Sequence, residues 1–132
     1  MTKGGANRDG GDCPRGNVFD LSCPSRRVLD RVGNKWTLLV VECLQEGTHR
    51  FSQLRQRIGG VSQKVLTQTL RTMERDGLVT RTVYAEVPPR VEYSLTDLGN
   101  TLITAVDPIA RWAEQHIADI EAAQRDYDAR RP

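Results

Sequence analysis

Aromatic residues are scarce in this chain: two Phe, two Trp and three Tyr, 5% of 132 residues. A core of this size must therefore rest on Leu, Val and Ile, and it is small enough that a second subunit would help to cover it. No stretch approaches the roughly 18 consecutive apolar residues of a membrane-spanning helix. The opening residues carry Gly and Asp where a signal peptide has its apolar centre, so a cytoplasmic location is expected. The three cysteines, Cys13, Cys23 and Cys43, contain no Cys-x-x-Cys pair, and an odd count does not suit a secreted disulfide framework. A zinc site made of Cys13, Cys23 and a histidine has no ligand spacing behind it, so neither a metal nor a cofactor is expected. Two isolated histidines, no nucleophile–base–orienter grouping and no phosphate-cradling Gly loop leave no catalytic residue to name, which argues against an enzyme.

Charge is also nearly absent in sum, at +2. Its distribution is uneven. Between Thr48 and Tyr93 eight basic residues (Arg50, Arg55, Arg57, Lys64, Arg71, Arg75, Arg81, Arg90) face four acidic ones (Glu74, Asp76, Glu86, Glu92). The middle of the chain is basic relative to its ends.

Residues 1–17, with Gly4–Gly5 and Gly10–Gly11, read as a disordered Gly-rich arm. Order begins at Cys23-Pro24, since proline suits the first helical position, and Val28, Leu29 and Val32 keep helical spacing up to Gly33. Asn34 caps a second helix whose apolar positions Trp36, Leu39, Val40, Cys43 and Leu44 run to Gly47. Ser52 is expected to cap a short third helix with Leu54 and Ile58 inward, broken by Gly59-Gly60. Ser62 opens a fourth, with Leu66, Leu70 and Met73 on its buried face and Gly77 as its stop. Two strands, Leu78 to Ala85 and Val91 to Leu95, flank a proline-stiffened connection and predict a β-hairpin. Thr96 or Asp97 caps a fifth helix to about Val106. Asp107-Pro108 opens a sixth, with Ile109, Trp112, Ala113, His116, Ile117 and Ile120 on one stripe.

Two short helices joined by a Gly-containing turn and followed by a hairpin predict an α+β, mainly helical fold: a winged helix-turn-helix, whose N- and C-terminal helices are candidate dimerisation helices. The winged domain is placed at 18–128, with a short tail at 129–132.

Cys23-Pro24, the run from Gly33 to Leu39, Phe51-Ser52-Gln53-Leu54 and Ile58 are joined in order by the run from Ser62 to Thr67 and by Leu70. Glu74 to Val79, Val87 to Tyr93 and Leu95 to Gly99 follow at matching gaps. In these residues the sequence resembles the HxlR-type regulators, a branch of the MarR-like winged-helix repressors, over about Cys23 to Ile117. Asn34 stands where such proteins often have a second Gly. The resemblance implies a homodimer on a palindromic double-stranded DNA operator, one fourth helix per major groove and one wing per flanking minor groove. It also implies an electrophile, oxidant or small-molecule effector, whose identity varies between members.

With Leu66, Leu70 and Met73 inward, Ser62, Gln63, Lys64, Thr67, Gln68 and Arg71 are left to meet DNA. Gln suits adenine, Arg and Lys suit guanine, and a Thr methyl suits thymine. Arg90 near the hairpin tip is a minor-groove candidate and Arg50 a phosphate contact. The stripe with Ile109, Trp112, Ile117 and Ile120 is too apolar for solvent; it packs on its own domain or, as the resemblance favours, serves dimerisation. Cys23, at a helix N-terminus with Arg26 and Arg27 nearby, is a redox-sensing candidate or a simple cap; the resemblance implies the former. Cys13 in the arm could bond to it or across a dimer. Cys43 and Trp36 read as core, His49 as a turn residue, and His116 as a helix-packing one. A winged-helix module that binds protein in place of DNA is the alternative function, and a ligand pocket at the dimer interface the alternative to a thiol switch. No membrane partner is expected.

Overall fold

A computed structural model of the chain describes residues 16–131. Most of the Gly-rich arm, including Cys13, lies outside the described residues. The order is α1 (Pro24–Val32), α2 (Lys35–Leu44), β1 (His49–Arg50), α3 (Phe51–Arg57), α4 (Gln63–Arg75), β2 (Val79–Tyr84), β3 (Arg90–Leu95) and α5 (Asp97–Arg130). It is a mainly helical winged helix with a small antiparallel sheet, as the sequence predicts.

Local chemistry accounts for the boundaries. Asn34 accepts the Trp36 N–H at 2.9 Å, and Ser62 accepts that of Val65 at 3.1 Å, each satisfying a donor that helix geometry leaves unpaired. Helix α4 ends where Gly77 takes φ +79°, a left-handed conformation that glycine adopts without a Cβ penalty. Gly60, at φ +83°, makes the turn between α3 and α4.

The sheet has the order β1-β3-β2. Its hairpin register runs from Val79 opposite Leu95 to Tyr84 opposite Arg90, and β1 adds His49 opposite Tyr93 and Arg50 opposite Glu92. Strand β1 was not expected. At two residues it is too short to show period-two alternation, and only pairing with β3 defines it. Because Arg50 is already the N-cap of α3, that helix starts at Phe51, two residues earlier than a Ser52 cap predicts. The Gln53 side chain accepts the Arg50 N–H at 2.7 Å in place of the expected serine cap.

Val40, Val41, Cys43 and Leu44 of α2 pack with Leu54 of α3, Leu66, Leu70 and Met73 of α4, and Val79, Tyr93 and Val106. Trp36 lies only partly buried at the edge of this cluster, with the Lys35 ammonium 4.4 Å from its ring centre.

The largest departure from expectation is α5. One helix of 34 residues passes through Pro108, where the sequence suggests a break between two. A proline inside a helix deletes one i→i−4 bond and costs about 3 kcal/mol. Anchors on both sides of Pro108 offset it: Val106 is buried, Gln45 donates to Asp107 at 3.2 Å, and Arg111 bonds Glu42 at 2.8 Å. Helix α5 runs on through Ala129 and Arg130, residues that the sequence places in a short tail.

Candidate nucleic-acid interface

The interface begins with the division of α4 into two faces. Leu66, Leu70 and Met73 are buried to 1% exposure or less. Ser62, Gln63, Lys64, Gln68 and Arg71 are exposed, and Thr67 is half-buried beside them. Five of the six residues singled out from the sequence therefore share one side of α4, and Ser62 caps its start. None of the six is drawn into an ion pair among the described residues, so Lys64 and Arg71 keep their charge available. Short α3 precedes the turn, with exposed Arg50 as its N-cap and exposed Arg55 in its last turn. Helix α4 is fixed beneath by its core contacts. Its outer face can then present amide, hydroxyl, ammonium and guanidinium groups in a constant geometry, which is the chemistry that reads base edges.

Arg90 is placed differently from that group. It opens β3 and its guanidinium is held within the hairpin, 2.9 Å from Glu86 and 3.0 Å from Glu92 and stacked 4.0 Å over the Tyr84 ring. Its Nε is buried without a partner. Both carboxylates compete with any phosphate for this arginine. Tip residue Val87 is fully exposed, and Arg81 on β2 is exposed and, among the described residues, faces no carboxylate within ion-pair distance.

The residues expected to serve dimerisation lie on α5. Beyond Val106 no residue of α5 is buried. Ile109, Trp112 and Ile117 are half-exposed or more, Ile120 is partly covered, and Tyr127 joins them near the end. His116 stacks on Trp112 at 5.0 Å between ring centres, which fits a packing role. Helix α1 likewise buries none of its residues, and Val28 and Leu29 are exposed on it.

Cys23 is the N-cap of α1 but bonds through its backbone: its carbonyl accepts the Arg26 N–H at 2.9 Å, and its side chain caps nothing. Cys23 is 1% exposed, and its sulfur receives the Asn17 N–H at 3.3 Å and is held in a disulfide. Arg26 and Arg27 direct their guanidinium groups to the carbonyls of Val18 and Ser22. Cys43 is buried in the core as expected, and burial, helped by Glu46, pushes its thiol pKa up.

A helix-turn-helix followed by a β-hairpin, with a cationic and polar outer helix, defines the class of winged-helix transcription regulators. Comparison with known proteins narrows this. The HxlR-like helix-turn-helix family matches residues 31–121, and the chain belongs to that family. The HTH-type transcriptional regulator YtfH of Escherichia coli strain K12 is 48% identical over 109 residues, covering 83% of this chain and 86% of the relative. The solved structure of the transcriptional regulator ytfH from Salmonella typhimurium superposes with a TM-score of 0.80 at 45% identity, covering 83% of this chain and 98% of that one. The redox regulator HypR in its oxidised form superposes with a TM-score of 0.66 at 41% identity, over 70% of this chain and 96% of that one. The chain is accordingly a transcriptional regulator of the helix-turn-helix type. No helix among the described residues is long and apolar enough to cross a membrane.

Two groupings escaped the sequence reading. The Arg111–Glu42 contact joins residues 69 positions apart and has no local signal. Cys43, Glu46 and His49 converge around the turn after α2. Their i, i+3, i+6 spacing is visible in the sequence but straddles a helix end and a strand, where neither period applies.

Proposed function

We propose that this regulator acts as a homodimer on a palindromic double-stranded DNA operator and represses transcription until thiol stress or a small effector changes its state. In this reading α4 enters the major groove and the hairpin lies along the neighbouring minor groove. The observation that carries it is the two-faced α4, with Leu66, Leu70 and Met73 buried inward and Gln63, Lys64, Gln68 and Arg71 outward. Ser62, Thr67 and Arg50 complete the proposed contacts. Arg90 contributes only if DNA phosphate replaces its two carboxylate partners. A two-fold axis through the apolar faces of α1 and α5 would set two copies of α4 on successive turns of the duplex.

Redox control is proposed through Cys23. Its disulfide bonding supports it, as does the likeness to a protein named as a redox regulator. Breaking or making that bond would alter the start of α1, which belongs to the proposed dimer face. Cys13 is the partner the sequence suggests.

Arg71→Ala tests the operator reading. Loss of a base contact should weaken specific binding by about 1–3 kcal/mol, where 1.4 kcal/mol is tenfold. Unchanged affinity in a folded variant removes Arg71 from the interface. Failure of the native protein to prefer any fragment would shift the reading to a winged-helix protein-interaction module.

A further inference from the structure

The turn that joins α2 to β1 gathers three metal-ligating side chains that the proposed DNA interface does not use. The Cys43 sulfur, a Glu46 carboxylate oxygen and a His49 ring nitrogen all lie within 4.8 Å of one another. Cys43 stands in the last turn of α2, Glu46 in the connection, and His49 opens β1; Gly47, at φ +135°, turns the chain between them. The cysteine is buried and lines a cleft of about 590 Å³ together with Glu46 and Arg57.

Two of the ligands already have the supporting contacts that metal sites use. His49 Nδ1 lies 2.7 Å from the Gly47 carbonyl. The tautomer that donates there keeps its proton on Nδ1 and leaves the Nε2 lone pair for a cation, the usual arrangement for a ligating histidine. Glu46 receives Arg57 at 2.6 Å, and a carboxylate so held still has lone pairs to offer. Tetrahedral zinc, with bonds of about 2.0–2.3 Å, needs ligand atoms roughly 3.3–3.7 Å apart. The exposed Glu46 and half-exposed His49 can close the remaining ångström by side-chain rotation.

We propose that Cys43, Glu46 and His49 form a three-ligand site for a divalent transition cation, Zn²⁺, with a fourth position open to water. One thiolate, one imidazole and one carboxylate form a mixed set suited to zinc and unsuited to Mg²⁺ or Ca²⁺, which favour oxygen throughout. On loading, a Zn–S bond forms as the Cys43 S–H bond breaks, and the proton passes to solvent. The two ligand charges then balance the cation. Occupancy would tie the end of α2 to β1 and, through Arg57, to α3, the helix that precedes α4. The site stands independently of the operator reading.

The test is titration of the full, metal-free, phosphine-reduced chain with Co²⁺, followed by Zn²⁺. One Co²⁺ per chain should give a thiolate-to-cobalt charge-transfer band, which Zn²⁺ should abolish. Cys43→Ser should eliminate the band. Persistence of the full band in that variant would place the metal on Cys13 or Cys23 and overturn the proposal, as would its absence from the native chain. His49→Gln, a change at the surface, guards against misfolding of the cysteine variant: with native circular dichroism it should bind Co²⁺ at least about tenfold more weakly. Unchanged affinity would equally refute the site.

Discussion

Replacing Gly99 with Ala should destabilise this protein, against the usual effect of that change in a helix. Gly99 lies in the first turn of α5, where alanine ordinarily gains about 0.5–1 kcal/mol over glycine. Here a Cβ would overlap the Leu78 carbonyl oxygen and come within 3.1 Å of a Leu95 methyl. That carbonyl cannot swing aside, since it accepts the Thr96 N–H at 3.0 Å, and Thr96 itself donates to the Gly77 carbonyl at 2.6 Å and accepts the Gly99 N–H at 2.9 Å. Overpacking costs about 1–3 kcal/mol, and one loosened hydrogen bond adds about 1 kcal/mol. After the helical gain is subtracted, the net loss is about 1–3 kcal/mol, a fall in Tm on the order of 5–15 °C for a chain of this size. Thermal unfolding followed by circular dichroism at fixed protein concentration measures it. Gly59→Ala is the control, because nothing lies within 4 Å of a Cβ there; it should be neutral or slightly stabilising. A Gly99→Ala protein as stable as the parent would show that the wing base and α5 are not locked together.

Trp112→Glu places a charge on the exposed apolar stripe of α5, where burial in a dimer would contribute about 1.5–3 kcal/mol per large side chain; light scattering should show a shift toward monomer, and an unchanged mass would remove this stripe from the interface. Cys23→Ser should leave DNA affinity intact while abolishing its response to diamide; a variant that still responds rules Cys23 out. Cys43 should alkylate slowly at neutral pH and faster as pH rises, because burial raises its pKa and keeps it protonated. By linkage the folded state holds that proton more tightly than the unfolded chain. Its contribution to stability is therefore full below the unfolded thiol's pKa and declines as pH climbs toward the folded value. Alkylation as fast as that of an unfolded control would contradict the burial.

Much of the scaffold was legible because each helix carries its own punctuation. Ser62, the Leu66–Leu70–Met73 stripe and Gly77 define α4 without tertiary knowledge, and its outward residues follow from the same period. Pro108 misled because proline marks a helix break only when nothing holds the helix on both sides, and the anchors to Gln45 and Glu42 come from a distant segment. Gly99 belongs to the family-like Leu-Thr-Asp-Leu-Gly run, yet its reason, the carbonyl of Leu78, is visible only in three dimensions. Arg90 sat at the right place for a wing contact, but its carboxylate partners at i−4 and i+2 fold it back onto the hairpin.

The most direct test of the account is titration of the reduced protein against genomic fragments, including the region upstream of its own gene, at two salt concentrations, with Arg71→Ala alongside. Tight binding to a single fragment is expected, weakening steeply with salt as counterions compete for the phosphates, with weaker binding by the variant. Equal binding to every fragment, or a variant indistinguishable from the parent, would contradict the assignment of α4 as the reading helix.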